Sequence, residues 1–340
     1  MGFVVLALAV LAGLLVQVPP EERPALSTFR LALGEWRRCL LHGEGPPNSL
    51  RLSALAVEGL PAVPIFDRWM QPAMGALPAA ADPDMQRVTV AVLDSGVDAS
   101  HPALDAAVIV GEDVLNPCGD GRTDPRGHGT AVADLVIRTA GLGKHLRILP
   151  VRVSFTDGTV PRAAVAAGVV LAVRRGADVI NLSLSSSSPS FLERAAIAYA
   201  RQNGVVVVAA AGNEPGGAPR YPATLPGVIA VAAINAEGHV APFSATPDPV
   251  MVAAPGVDVT VAAPGGAFIR SSGTSLAAPA VTGAAARLLA SGMELGGLTM
   301  HDWLIDNGWH ARPVPPLFPV VPEREPADDG GWKTPARGPA

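Results

Sequence analysis

Four short polar stretches carry side chains that can do covalent chemistry together. In chain order they are LDSG (93–96) with Asp94, RGHGTAVA (126–133) with His128, AAAGNE (209–214) with Asn213 and SGTSLAAP (272–279) with Ser275. A serine hydroxyl is a poor nucleophile near neutral pH unless a base takes its proton as it attacks. Imidazole suits that task because its pKa lies near the working pH, and a buried carboxylate fixes its tautomer and stabilises the imidazolium that forms. A side-chain amide at Asn213 and the backbone N–H of Ser275 at a helix start can then hold the negative oxygen of a tetrahedral intermediate, with the helix dipole adding to them. Singly, each residue has an ordinary explanation. Asp94 and Asn213 beside glycines fit turns, and Ser275 before an apolar helix fits an N-cap. His128 between two glycines is less ordinary, since glycine lets backbone approach a ligand closely. All four at strand ends or helix starts favour the catalytic reading.

These groups need a scaffold that brings strand ends and helix starts to one edge. The run VTVAVLDSG (88–96) is apolar and β-branched and ends in turn residues, the pattern of a buried strand. GTAVADLVIRTA (129–140) reads as helix and LRILPVRVS (146–154) as strand. PRAAVAAGVVLAVRRG (161–176) opens on proline and closes on glycine, as helices do. ADVINLSL (177–184), FLERAAIAYARQNG (191–204) and VVVVAAAG (205–212) continue as strand, helix and strand. GVIAVAAI (227–234) is a further strand, and SLAAPAVTGAAARLLASG (275–292) a long helix of small residues. Near-continuous apolar strands alternating with helices predict an α/β fold, doubly wound, with a mostly parallel sheet and helices on both faces. A working site in such a sheet lies beyond the carboxyl ends of the strands, where the polar stretches fall.

Composition agrees with a chain that buries a full core: 49% of the residues are apolar and 16% charged, far from the signature of disorder. A net charge of −5 without a basic run gives no support for nucleic-acid binding. Residues 1–18, apolar from Gly2 to Val16, predict a signal peptide or an N-terminal membrane anchor. The expected location is therefore extracellular, periplasmic or membrane-anchored facing outward. The segment has neither a basic start nor a clear A-x-A site, so cleavage and retention both stay open. Residues 19–86 are proline-rich with one helical stretch, TFRLALGEWRRCLL (28–41), and read as a pro-region, linker or cap. Residues 87–310 form the expected catalytic domain, and after Gly308 the chain turns proline-rich, so 311–340 reads as a tail without a fixed fold. Cys39 and Cys118 lie far apart in sequence, and spacing alone does not decide whether they pair.

The stretches VAVLDSGVDASHP (90–102), GHGTAVA (127–133), VINLSL (179–184), VVVAAAGNE (206–214), APGVDV (254–259) and SGTSLAAPAVTGAAA (272–286) resemble the subtilisin-like serine proteases, the subtilases. The likeness spans roughly residues 87–292 and keeps the family's order of motifs. It implies that Ser275 is the nucleophile, His128 the general base and acid, Asp94 the residue that orients His128, and Asn213 an oxyanion donor. It further implies a peptide or protein substrate held as an added strand along SLSS (183–186), with Ser183, Leu184 and Ser185, and along DGTV (157–160), with Gly158. The wall of the pocket for the residue before the scissile bond (P1) would be Ala210, Ala211 and Gly212, with Arg220 near its base. No cofactor and no metal are implied, because RTAGLGKHLRI (138–148) is too short for the calcium-binding loop of many relatives.

This chain departs from the family pattern at several positions. Ser185, Ser186, Ser187 and Ser188 stand where glycines usually follow the substrate strand, which predicts a narrowed cleft and restricted specificity. Ala131 replaces a second histidine, Asp134 a helical glycine, and Leu276 the methionine after the nucleophile. Arg220 either points into the pocket and favours an acidic P1 residue, or pairs with Glu214 at the surface. The serine-filled strand also motivates an alternative from another class, a catalytically silent fold that binds extended peptides or a partner.

Overall fold

The computed structural model describes Leu77 and residues 85–311, except 105, 117, 189, 246–251 and 294–298. The expectations for residues 1–18, most of 19–86 including the helix at 28–41, and 312–340 therefore lie outside the described residues.

Seven strands form one parallel sheet in the order β2-β3-β1-β4-β5-β6-β7. They are β1 (Val88–Asp94), β2 (Glu112–Asp113), β3 (Leu146–Arg152), β4 (Val179–Leu182), β5 (Val206–Ala210), β6 (Val228–Ile234) and β7 (Val252–Pro255). β1 is sandwiched, Val90–Val92 pairing with Val179–Asn181 on one side and the whole strand with β3 on the other. From β1 the chain winds outward to β3 and then back across to β4, so the strand order reverses at β1. A crevice opens at such a reversal, outside the carboxyl ends of the strands. Asp94 is the last residue of β1 and sits at its mouth.

Helices cover both faces. α1 (His128–Ala140) and α4 (Thr274–Ala290) share one apolar core with Val90, Val92, Val208 and Val231. α2 (Arg162–Arg174) and α3 (Phe191–Gln202) share the other with Ala91, Leu93, Leu149 and Val207. Alternate residues of β1 thus enter opposite cores, as the period of two requires. α4 is buried along almost its whole length and packs on β1 and on β4 through β7. Only small side chains allow a helix to lie so deep, which accounts for its alanines. At Gly283 even one methyl is too much: a Cβ there would lie 2.8 Å from both Thr139 Cβ and Val136 O of α1. That contact sets how closely the His128 helix and the Ser275 helix cross.

The nine expected strands and helices are present, with ends shifted by at most two residues. Several features were not anticipated, among them the two-residue edge strand β2. β7 and an antiparallel hairpin of β8 (Val259–Ala263) and β9 (Ala267–Ser271) fill the stretch between β6 and α4. A short helix α5 (Met300–Asp306) is closed by a capping box between Thr299 and Asp302. At the end of the described residues Trp309 is fully buried and His310 bridges Val252 of β7, both within the expected 87–310 domain.

Asp134, the aspartate in place of a helical glycine, explains how the hairpin is attached. It is buried in α1, accepts the amide of Ala262 in β8 at 2.9 Å, and pairs with Arg138 at 2.7 Å. Arg138 in turn donates to the carbonyl of Thr260 at 2.5 Å. At the other end, Gly265 N–H donates to Asp98 Oδ2 (3.0 Å) and His101 Nε2 meets Ala267 O (3.0 Å).

Candidate active site

Asp94 is buried at the end of β1, where its carbonyl receives the amides of Val153 and Ser154. Its Oδ1 accepts the Ser95 amide at 2.7 Å. Both carboxylate oxygens lie 2.9 Å from His128 Nδ1. With Nδ1–H donating to the carboxylate, Nε2 is left as the basic nitrogen. The negative charge of Asp94 raises the His128 pKa above its ordinary value; Asp124 adds to this, while burial and Arg126 oppose it.

Asp124 was not among the sequence candidates. It is buried, and its Oδ1 accepts Ser95 Oγ (2.8 Å), Arg126 N (3.0 Å) and Gly127 N (2.8 Å). Its Oδ2 accepts Thr130 N (2.8 Å) and Thr130 Oγ1 (2.6 Å). One carboxylate thus ties the turn before His128 to the first turn of α1 and to Ser95, the residue after Asp94. The signal was a turn aspartate before proline in TDPRGHG (123–129), which composition alone does not separate from any other loop aspartate. Gly127 takes the left-handed conformation (φ 81°), and a Cβ there would come within 2.7 Å of the Pro264 ring in the hairpin turn.

The second half of the site is built around Thr274. Its amide and hydroxyl both donate to Asn213 Oδ1, at 3.0 and 2.9 Å, while its hydroxyl accepts the Gly212 amide at 3.2 Å. With Oδ1 committed, Asn213 must turn its Nδ2 the other way. Gly273 shows where that nitrogen points. A Cβ on Gly273 would lie 3.0 Å from Ser275 Oγ, 3.6 Å from Asn213 Nδ2 and 3.7 Å from Ser275 N. Hydroxyl, amide and backbone N–H converge on one small space that glycine leaves open. Gly273 has φ 162° and is merely extended, so space and not backbone strain is what glycine supplies. Among the described residues Ser275 Oγ makes no hydrogen bond to His128; such bonds are often long without substrate.

Ala131 and Leu276, two of the departures noted above, belong to a single buried cluster with Leu135, Val259 and Val261. They are adjusted to each other and to the hairpin.

The expected substrate-binding residues divide. Ser185 is exposed and Leu184 half-buried, whereas Ser183 is buried with its hydroxyl donating to the Ser275 carbonyl at 2.7 Å. Beyond them Ser186 pairs through both backbone groups with Tyr221, at 2.8 and 3.1 Å, which closes the strand edge at that residue. Ala210 and Ala211 are buried, and Ala211 has both backbone groups bonded internally, to Val231 and Arg220, so they back the wall and do not face solvent. The 157–160 segment is a tight turn, closed by Gly158 N–H to Phe155 O and Phe155 N–H to Thr159 O. It is not the extended edge expected, and the Arg126 guanidinium covers Gly158. Arg220 Nε pairs with Glu214 Oε2 at 2.8 Å, and both side chains lie over Gly212, where a Cβ would touch them at 3.2 and 2.9 Å. Of the two alternatives for Arg220, the pairing with Glu214 is the one present.

The chain is also similar to known proteins. The model of the Subtilase family matches residues 85–318. A thermophilic serine proteinase of Bacillus sp. (strain AK1) is 39% identical over 210 residues, covering 60% of this chain and 52% of the relative. The chain therefore spans about half the length of that relative. Thermitase of Thermoactinomyces vulgaris is 37% identical over 219 residues, covering 62% of this chain and 77% of the relative. Among solved structures, sphericase superimposes with a TM-score of 0.56 at 30% identity, covering 66% of this chain and 82% of its own.

Proposed function

On the premise that the chain belongs to the subtilase family, as the match over residues 85–318 shows, we propose that it is a serine endopeptidase that cleaves peptide bonds through an acyl-enzyme on Ser275. One observation carries this reading: Ser275 Oγ, Ser275 N and Asn213 Nδ2 surround the single space that Gly273 leaves empty. A tetrahedral oxyanion formed on attack by Ser275 needs two donors at such a place. His128 takes the serine proton on Nε2 and returns it to the leaving amine, and Asp94 keeps Nδ1 protonated and stabilises the imidazolium. Water then attacks the acyl-enzyme by the same route in reverse.

The substrate is a peptide lying extended along Ser183–Ser185. Restricted specificity is supported on two sides: the Ser186–Tyr221 pairing ends the open strand edge, and the Arg220–Glu214 pair covers Gly212. Export is supported by the apolar run at residues 2–16 and by Cys118, which is disulfide-bonded and so suits an oxidising compartment. Its partner cysteine lies outside the described residues. No helix among the described residues is long and apolar enough to cross a membrane.

The test is covalent labelling by a fluorophosphonate probe. Wild-type protein is expected to be labelled, and Ser275→Ala to fold but stay unlabelled. Labelling that persists in Ser275→Ala refutes the assignment. Wild-type protein that is neither labelled nor active on peptides, yet binds them, supports the catalytically silent alternative.

A further inference from the structure

The carbonyl of the proposed nucleophile has lost its normal helical partner. Ser275 is the second residue of α4, so its C=O should accept the N–H of residue 279. That residue is Pro279, inside the helix, which has no N–H and whose ring crowds the carbonyl four residues back. A buried carbonyl without a donor is costly. The donor comes from another element: Ser183 Oγ, just beyond β4, reaches the Ser275 carbonyl at 2.7 Å.

Ser183 has no freedom to do otherwise. Asn181 Nδ2 donates to Ser183 Oγ at 2.9 Å, so the serine's own hydrogen is directed at Ser275. Asn181 is held in turn by Thr282 Oγ1, 2.8 Å from Asn181 Oδ1 and 3.0 Å from the Ala278 carbonyl. Asn181 and Thr282 are fully buried. The chain Thr282–Asn181–Ser183–Ser275 therefore leaves α4, passes through β4 and returns to the first turn of the same helix.

We infer that Ser183 is a positioning residue: with Pro279 it fixes the peptide plane after Ser275, and so the aim of the Ser275 hydroxyl and N–H. This rests on the proteolytic reading of Ser275. It places the Ser183 side chain behind the nucleophile, while the Ser183 backbone stays in the segment that flanks substrate. Pro279 matters because a residue with an N–H would satisfy the carbonyl within the helix and uncouple Ser275 from the cleft strand.

The test is a double-mutant cycle in the full chain with Ser183→Ala, Pro279→Ala and the pair, reading kcat, KM and melting temperature on a chromogenic peptide. Ser183→Ala is expected to lower kcat about tenfold with KM nearly unchanged. Adding Pro279→Ala supplies a helical N–H to the same carbonyl and is expected to restore most of that loss. The inference is overturned if Ser183→Ala keeps wild-type kcat, whatever its melting temperature, or if the double variant is no better than Ser183→Ala. Were the wild type inert on peptides, the proteolytic reading would fall separately. The melting temperatures would then still test the contact, since Pro279→Ala must recover what Ser183→Ala loses.

Discussion

Asp94 meets His128 Nδ1 with both carboxylate oxygens at 2.9 Å, from a buried strand end to a ring whose side chain keeps 37% of its surface exposed. The two halves of the pair thus face different surroundings: the acid is locked in the sheet mouth and the base opens toward the crevice.

The pH dependence follows from that pair. Under the proposed mechanism activity needs neutral His128, so kcat/KM should rise with pH through a pKa above the ordinary histidine value. Stability runs the other way. A histidine whose folded pKa exceeds its unfolded one contributes stability below the unfolded value, and that contribution disappears as pH rises through the folded value. Asp94→Asn removes the main cause of the shift, so the acid limb of the kcat/KM profile should move to lower pH. It should also cost about 10⁴-fold in kcat, because Nδ1 loses its anionic acceptor. An acid limb that stays in place contradicts the account.

Gly273→Ala puts a methyl into the space between Ser275 Oγ and Asn213 Nδ2. The extended φ of this position suits alanine, so the protein should fold with a near-native melting temperature while kcat falls by at least about 100-fold. Asn213→Ala should lower kcat by about 10²–10³-fold with little change in KM, the loss typical of one missing oxyanion donor. Steady-state kinetics on one peptide checks both; a large KM effect in Asn213→Ala would argue for substrate binding instead.

The Arg220–Glu214 pair should mask any preference for an acidic P1 residue. Wild-type protein is expected to turn over P1 Glu no faster than P1 Ala. Glu214→Gln frees the guanidinium and should raise kcat/KM for P1 Glu by about tenfold relative to P1 Ala, the effect of one charge-assisted hydrogen bond. Competition between matched peptides measures the ratio, and an unchanged ratio would remove Arg220 from the pocket.

Asp134→Ala leaves the Arg138 side chain and the Ala262 amide facing a gap inside the α1–hairpin contact. Removing one partner of a buried pair costs about 3 kcal/mol. Urea unfolding should show that loss as a lower midpoint at unchanged slope.

Sheet and helices were legible because their signals are local and strong. The Val- and Ala-rich runs of β5 and β6 are continuous, β1 and β4 are mostly apolar and rich in β-branched residues, and α4 is a long stretch of helix-forming small residues. The β7–β9 region was not legible because glycine and proline interrupt it at 255–256 and 264–266, so no window shows a clean alternation. The helix α5 did carry a signal, Thr299 with Asp302 three residues on, but it spans under two turns. At the site, Asp94, His128, Asn213 and Ser275 announce themselves by residue type. Asp124, Thr274, Ser183 and Pro279 do not, because what they contribute is a hydrogen bond made or withheld across the fold.

The β8–β9 ribbon stands outside the seven-stranded sheet, yet its Pro264 rests against Gly127, the residue before His128. Every residue of β8 is buried against α1 while β9 is largely exposed, so the ribbon is seated on the His128 helix through β8. The backing of the imidazole therefore depends on this ribbon as well as on the sheet. A small molecule or antibody that pries the ribbon away would slow the enzyme without approaching a reacting atom, and one that clamps it would leave the chemistry intact.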